Sequence, residues 1–287
     1  MGISDRRVHV LCEQGKVFGA IKQGRSWLIP EETIKPVDDR TMRGMDIPKT
    51  YVALFCRVDT LKAELATRRP FSQGELKRLQ EEFLVEFTYN SNAIEGNTLT
   101  LRETALVLEG VTIDKKPLKD HLEAVGHRDA FLHIERLVSA KERISEKVIK
   151  DIHSLVLMDS PEDRGVYRSI LVRIVGAFPE PPQPYVVPVQ MEQLILELAK
   201  DKRHPIEQAA LFHLQFEEVH PFIDGNGRTE RLVLNLMLMQ NGYPPIIVKF
   251  TDRVRYYDTF DSYYREKSYA PMGNIQERLE QYLDILG

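Results

Sequence analysis

Between His220 and Arg231 the chain gathers, within twelve residues, the side-chain types that handle a polyphosphate: His220-Pro-Phe-Ile-Asp224-Gly-Asn-Gly-Arg228-Thr-Glu-Arg231. Gly225, Asn226 and Gly227 form a tight loop at a helix start. Free backbone amides and the positive end of the helix dipole favour an anion there. Arg228 and Arg231 are three residues apart and share a helical face. Two guanidinium groups beside those amides suit a polyphosphate rather than a monophosphate. Asp224 offers the hard oxygen ligand that a nucleotide-bound Mg2+ requires. Histidine is the residue type suited to proton transfer near neutral pH, and His220 can take a proton from an attacking hydroxyl. Each residue alone has an ordinary structural use as cap, turn or solvated charge. Their joint occurrence points to phosphoryl chemistry on a nucleotide.

These residues need two helices to hold them. Ile206–Val219 carries helix-period apolar residues and stops at Pro221. Gly227–Asn241 is nearly apolar all round (Leu232, Val233, Leu234, Leu236, Met237, Leu238, Met239) and is predicted as the buried central helix. The same periodicity predicts helices over Leu61–Arg69, Gly74–Asn90, Leu101–Glu109, Asp120–Ser139, Ser145–Met158, Gln190–Lys200 and Ile275–Ile285. Thr100-Leu-Arg-Glu103 predicts a capping box, and Gly110 and Gly242 stand where helices should stop. One stretch breaks the pattern. Ile170, Val172 and Ile174 alternate with Leu171, Arg173 and Val175, then Pro-rich residues run from Phe178 to Pro184, and Tyr185-Val-Val187 follows. This predicts a β-hairpin with a stiff tip inside an otherwise all-α domain.

Residues 1–44 read as a separate piece. Ser4-Asp5-Arg6-Arg7 caps a short helix that Gly15 stops, Val17 to Pro30 alternates around a Gln-Gly turn as two short strands, and Glu31 to Gly44 suits a linker. The chain therefore divides into 1–44, an N-terminal helical region at 45–117 and a core at 118–287. Its 287 residues can bury a core without disulfide or metal staples. Lys+Arg 39 against Asp+Glu 43 leaves a net charge of −4, which excludes a bulk nucleic-acid binder. Cys12 and Cys56 form no metal spacing and point to a reducing compartment. No apolar run approaches ~18 residues, and the opening MGISDRRVHV lacks a signal-peptide core. The expectation is a soluble cytoplasmic protein with no membrane partner.

His220 to Arg231 fits, position by position, the signature HxFx(D/E)GNGRxxR, and residues 45 to 287 resemble the Fic family. The resemblance implies an all-α Fic domain with a short β-hairpin flap at Ile170–Val187 that pairs with a target segment. It implies transfer of AMP from ATP to a Ser, Thr or Tyr hydroxyl of an unknown target protein, with release of pyrophosphate. By position, His220 becomes the general base, Phe222 the anchor of the loop, and Asp224 the Mg2+ ligand. Gly225, Asn226 and Gly227 become the anion hole. Arg228 contacts the nucleotide phosphates and Arg231 holds the γ-phosphate. Tyr256 and Tyr257 match a Tyr pair found near the adenine, and ordinary amphipathic packing accounts for them as well. Tyr264 stands where relatives often carry Asn, so no adenine contact is assigned to it.

A second stretch, Ser91-Asn-Ala-Ile-Glu95-Gly-Asn97, reads by itself as a helix end. It resembles the family's inhibitory motif (S/T)xxxE(G/N), continued as AIEGNTLTL. The resemblance implies that Glu95 pairs with Arg231 and occupies the γ-phosphate site. Some relatives use this glutamate to remove AMP and many dimerise, so the reverse reaction and a homodimer both stay open. Residues 1–44 resemble the second half of an excisionase-like winged helix-turn-helix, with SDRRVHVLCEQGKV as recognition helix and GAIKQGRSWLIP as wing. Between Arg6 and Arg25 stand five basic residues and one acidic one, which suits a weak DNA contact through residues 1–30. A truncated module that packs on its neighbour is the alternative. Two other functions compete: transfer of another nucleotide such as UMP, and a DNA-tethered regulator whose Fic site only senses nucleotide.

Overall fold

A computed structural model describes residues 8, 9, 12, 20–24, 26–29, 49–67, 72–173, 180–266, 273, 275 and 277–279. The chain divides into two compact units, Met1–Pro48 and Lys49–Gly287.

In the first unit, strands β1 (Ile21–Gln23) and β2 (Ser26–Leu28) pair antiparallel, with Ile21 opposite Leu28 and Gln23 opposite Ser26. The two short strands expected there are present. Cys12 is buried against Val8, Ala20, Trp27 and Ile29. Val8, His9 and Cys12 are helical; most of the expected recognition helix, with Arg6, Arg7 and Lys16, lies outside the described residues. So do Arg25 and the linker Glu31 to Gly44.

The second unit is built of helices α1 (Lys49–Thr67), α2 (Gln73–Ile94), α3 (Leu101–Leu108), α4 (Leu118–Ser139), α5 (Glu146–Val156), α6 (Val187–Lys200), α7 (Pro205–Val219), α8 (Asn226–Gln240) and α9 (Arg253–Glu266). Helix α8 lies at the centre and packs on α7, α4, α5 and α2. Its apolar composition has a direct consequence: Leu232, Val233, Leu236 and Leu238 are fully buried. Asn235 on α8 fixes the chain beyond it, donating from Nδ2 to Ile246 O (3.0 Å) and accepting from Ile246 N–H at Oδ1 (2.8 Å).

Helix α2 changes character along its length. Ser72 and Glu75 close a capping box at its start, worth about 1 kcal/mol. Its first turns are exposed, with Lys77–Glu81 and Arg78–Glu82 pairs facing solvent. From Phe83 onward it enters the core, where Phe83, Phe87 and Phe131 pack ring on ring at 5.4 to 5.6 Å. The expected Thr100–Glu103 capping box forms at the start of α3. Between α2 and α3 the chain is fastened to α4. Asn97 Nδ2 donates to Asp120 O (3.0 Å) and Glu123 Oε2 (2.8 Å), and Thr98 donates from N and Oγ1 to Asp120 Oδ2 (2.9 and 2.5 Å).

Three expectations need correction. Among the described residues between Arg168 and Val187 there is no strand: Pro184–Val186 is a 3-10 turn and α6 begins at Val187. Residues 174–179, with Phe178 and Pro179, lie outside the described residues. Proline cannot donate to a strand ladder but suits the first turn of a helix, and Pro184 and Pro188 both sit in such turns. Helix α9 was not anticipated, and α1 begins at Lys49 rather than Leu61. Of the expected helix Ile275–Ile285, residues 275 and 277–279 are described, and they are helical. Among the described residues no helix is long and apolar enough to cross a membrane.

Candidate active site

The loop between α7 and α8 brings His220 to Arg231 together at the N-terminus of the buried helix. His220 terminates α7 in a left-handed conformation, φ 46° and ψ 63°, which costs a non-glycine residue about 1–2 kcal/mol. Its Nδ1 lies 3.2 Å from Glu217 Oε2. Phe222 is fully buried, its ring stacked on His153 at 3.6 Å with planes 4° apart. Asn226 closes the loop on itself. Its Oδ1 accepts from Phe222 N–H and its Nδ2 donates to Phe222 O, both at 2.8 Å. The Asn226 side chain thus shapes the loop and leaves anion binding to backbone amides. Gly225 is the N-cap of α8 with φ 74°, a value that glycine adopts without strain. The first-turn N–H groups of α8 have no intrahelical partners.

The two arginines are both deeply buried and both paired with carboxylates from elsewhere. Arg231, 2% exposed, donates from Nη2 to Glu95 Oε1 (2.7 Å) and Ser91 O (2.8 Å), and from Nε to Ser91 Oγ (3.1 Å). The last turn of α2 therefore delivers Ser91 and Glu95 to Arg231. Burial alone would lower the Arg231 pKa; the Glu95 carboxylate, with Tyr256 and Tyr257, more than offsets this and raises it. Arg228 Nη1 lies 2.8 Å from Glu123 Oε1 of α4, and its Nη2 donates to Asp224 Oδ1 at 3.2 Å.

Asp224 accepts from Gly225 N–H at Oδ1 (2.5 Å) and faces Lys119 Nζ at Oδ2 (3.4 Å). Burial alone would raise its pKa, but Arg228, the Gly225 amide and Lys119 outweigh it and hold the carboxyl below its ordinary range. Among the described residues no three His, Cys, Asp or Glu side chains are placed to hold a metal ion. A cation at Asp224 would therefore take one carboxylate oxygen here and its other ligands from phosphate and water. Mg2+ binds nucleotides in that way, and the exposed Lys119 chain can swing aside, so the residues fit it.

Tyr256 and Tyr257, on α9, lie near Arg231, and burial raises both phenols, Tyr257 to about 12. Tyr256 is buried with its hydroxyl 2.8 Å from His213 Nε2, whereas Tyr257 is half exposed. His213 in turn contacts Glu230, fully buried on α8.

Several residues of the site had no sequence signal. His153 on α5 fixes the loop from beneath. Gly165 N–H donates to its Nδ1 (2.9 Å), so Nε2 carries the proton and donates to Asp224 O (3.0 Å). Burial, opposed in part by that bond, holds its pKa at about 4. Glu123 and Arg168 carry no signal either, because single charged residues far from the loop look like solvated surface until the fold buries them, and Lys119 stays half exposed and reaches Asp224 only through the fold.

Residues 143–238 match the Fic/DOC family. The chain is 35% identical over 237 residues to a protein adenylyltransferase Fic of Nematostella vectensis, a match covering 79% of this chain and 55% of that protein. It is 36% identical over 189 residues to a protein adenylyltransferase Fic of Drosophila melanogaster, covering 65% of this chain and 38% of that protein. The chain thus spans about half, or less, of the length of these curated relatives. A Fic-domain-containing signaling protein of Bacteroides thetaiotaomicron superposes with TM-score 0.74 at 28% identity, covering 81% of this chain and 96% of that one. Fic-1 of C. elegans superposes with TM-score 0.72 at 28% identity, covering 86% and 74%.

Proposed function

Since this chain contains a Fic/DOC domain, we propose that it transfers AMP from ATP to a hydroxyl group of a target protein and that Glu95 restrains the reaction. One observation carries the reading: the Glu95 carboxylate rests on Arg231 at the amide-rich start of α8. An internal anion thus sits where a terminal phosphate would be held. Relatives named protein adenylyltransferase support the transferred group.

In this reading ATP is clamped through its phosphates by the first-turn amides of α8 and by Arg231. Mg2+ on Asp224 and the phosphate oxygens would neutralise charge that develops on the leaving group. His220 takes the proton of the target hydroxyl. The hydroxyl oxygen bonds to the α-phosphorus, the bond from that phosphorus to the β-bridging oxygen breaks, and pyrophosphate leaves. While Glu95 holds Arg231, the γ-phosphate has no cation there and the α-phosphorus is not aligned. A partly buried Arg–carboxylate contact suits such a restraint, because desolvation offsets much of its attraction and leaves it breakable.

Intact-mass analysis after incubation with Mg2+-ATP tests this. Glu95→Gly should acquire AMP, the wild type little, and Glu95→Gly with His220→Ala none. Absence of AMP on Glu95→Gly despite ATP binding would defeat the proposal. Addition of UMP from UTP in place of AMP would replace the nucleotide.

A further inference from the structure

Arg168 stands outside the signature and outside every contact used so far, yet it is only 4% exposed. No carboxylate among the described residues pairs with it; burial acts on it alone and pulls its pKa down. A buried guanidinium without an anion is unfavourable unless oriented dipoles replace the anion. Backbone carbonyls do so here. Nε donates to His220 O (2.8 Å), Nη2 to Pro182 O (2.7 Å) and Val219 O (3.4 Å), and Nη1 to Ile170 O (3.2 Å). Its own backbone N–H donates to Pro221 O (2.9 Å). Val219 and His220 supply the terminal carbonyls of α7, which lack intrahelical partners and carry the negative end of the helix dipole. A cation is favoured at that position, and the planar guanidinium reaches several carbonyls at once where an ammonium reaches fewer.

The helix end that Arg168 caps is the one at which His220 turns into the left-handed region. Such a conformation persists in a non-glycine residue only where the surroundings over-determine it. The carbonyls of Val219, His220 and Pro221 all accept from Arg168, so three consecutive peptides around the strained residue are held by one side chain and its amide. The carbonyls of Ile170 and Pro182 also accept from that side chain and brace it.

We infer that Arg168 is a positioning residue for AMP transfer: it fixes the His220 peptide in the left-handed conformation that aims the imidazole at the substrate hydroxyl. The inference rests on the reading of His220 as the base. It differs from a general structural role in what it leaves untouched. Asp224, Arg231 and the first-turn amides of α8 make no contact with Arg168, so ATP affinity should not depend on it.

In the Glu95→Gly background, Arg168→Gln and Arg168→Lys are compared with their parent for rate of self-modification by AMP and for Mg2+-ATP affinity by calorimetry. Arg168→Gln should lose about 30-fold or more in rate, since misplacing a base forfeits most of its contribution. ATP affinity should stay within roughly threefold, the pattern of an interaction that serves the transition state. Arg168→Lys, which keeps the charge and part of the hydrogen bonding, should fall between. A rate within about twofold of the parent, or rate and ATP affinity falling together, would overturn the inference. If Arg168→Gln does not fold, Arg168→Lys carries the same comparison. A Glu95→Gly parent that transfers no AMP would instead defeat the reading of the reaction. In that event amide exchange in the wild-type background decides: Arg168→Lys should speed exchange at residues 219–223 about tenfold while α8 is unchanged, and equal exchange would overturn the inference.

Discussion

The Glu95 carboxylate rests over Gly227 so closely that a methyl group on that glycine would overlap Oε1 of Glu95 and come within 2.9 Å of Arg231 Nη1. The absence of a side chain at Gly227 therefore makes room for the Glu95–Arg231 contact. Gly227→Ala forces the Glu95 carboxylate to shift, so the roughly 1 kcal/mol that alanine normally gains over glycine in a helix should be lost or reversed. With Glu95→Gly present, the nearer obstacle is gone and the alanine should cost measurably less. Urea unfolding of the four proteins of this cycle gives the coupling. Additivity within about 0.5 kcal/mol would mean that the two residues do not meet.

Ser91 holds Arg231 by two atoms, and only one belongs to its side chain. Ser91→Ala removes the Oγ acceptor and leaves the carbonyl and Glu95 in place. One hydrogen bond to a charged group is worth about 1.5 kcal/mol, so the variant should transfer AMP roughly tenfold faster than wild type and well below Glu95→Gly. The same change placed on Glu95→Gly should add little. Initial rates of AMP incorporation settle it, and an unchanged rate would remove Ser91 from the restraint.

His153 makes acid stability a reporter of the loop. Its folded pKa is about 4 against an ordinary 6.5, so the unfolded chain binds the proton first as pH falls. The stability that neutral His153 supplies is complete above about pH 6.5 and is lost as pH drops toward 4. A shift of that size corresponds to about 3 kcal/mol. Buried His127 and His213 are depressed in the same direction, so the total slope is steeper and only a difference isolates His153. Wild type should exceed His153→Gln in stability near pH 7, and the gap should narrow as pH falls to 4. Urea unfolding against pH measures it; a gap that stays constant would contradict the assignment.

What the chain disclosed before folding was what lay within one short stretch. His220 to Arg231 was legible because the helix stop, the loop glycines and the charged residues are neighbours in sequence, and the burial of α8 followed from its apolar circumference. Glu95, the partner of Arg231, was legible only through the second motif and its resemblance; the other partners of those residues were hidden by distance. Glu123, His153 and Arg168 are single polar residues whose burial depends on how α4, α5 and the segment before α6 pack. Helix α9 was missed for another reason: its buried positions are Tyr256, Thr259 and Tyr263, a helical spacing written in residues that also suit a surface. In the stretch before α6, Tyr185-Val-Val187 reads as strand by type but is helical, because Pro184 and Pro188 suit first helical turns; the alternation at Ile174 and Val175 lies outside the described residues.

The anchoring of Asn97 and Thr98 on α4 has a consequence for competition. A carboxylate on a flexible tether would reach Arg231 at an effective concentration in the millimolar range. Glu95 is instead presented by the end of a folded helix that is fastened immediately beyond it, so its local concentration is higher and is fixed by the fold. A free nucleotide then competes by mass action against a neighbour of high local concentration, and more of it is needed to displace Glu95. In the proposed reading, an agent that loosens the fastening at Asp120 and Glu123 lowers that local concentration and lets ATP fill the vacated arginine at a lower abundance.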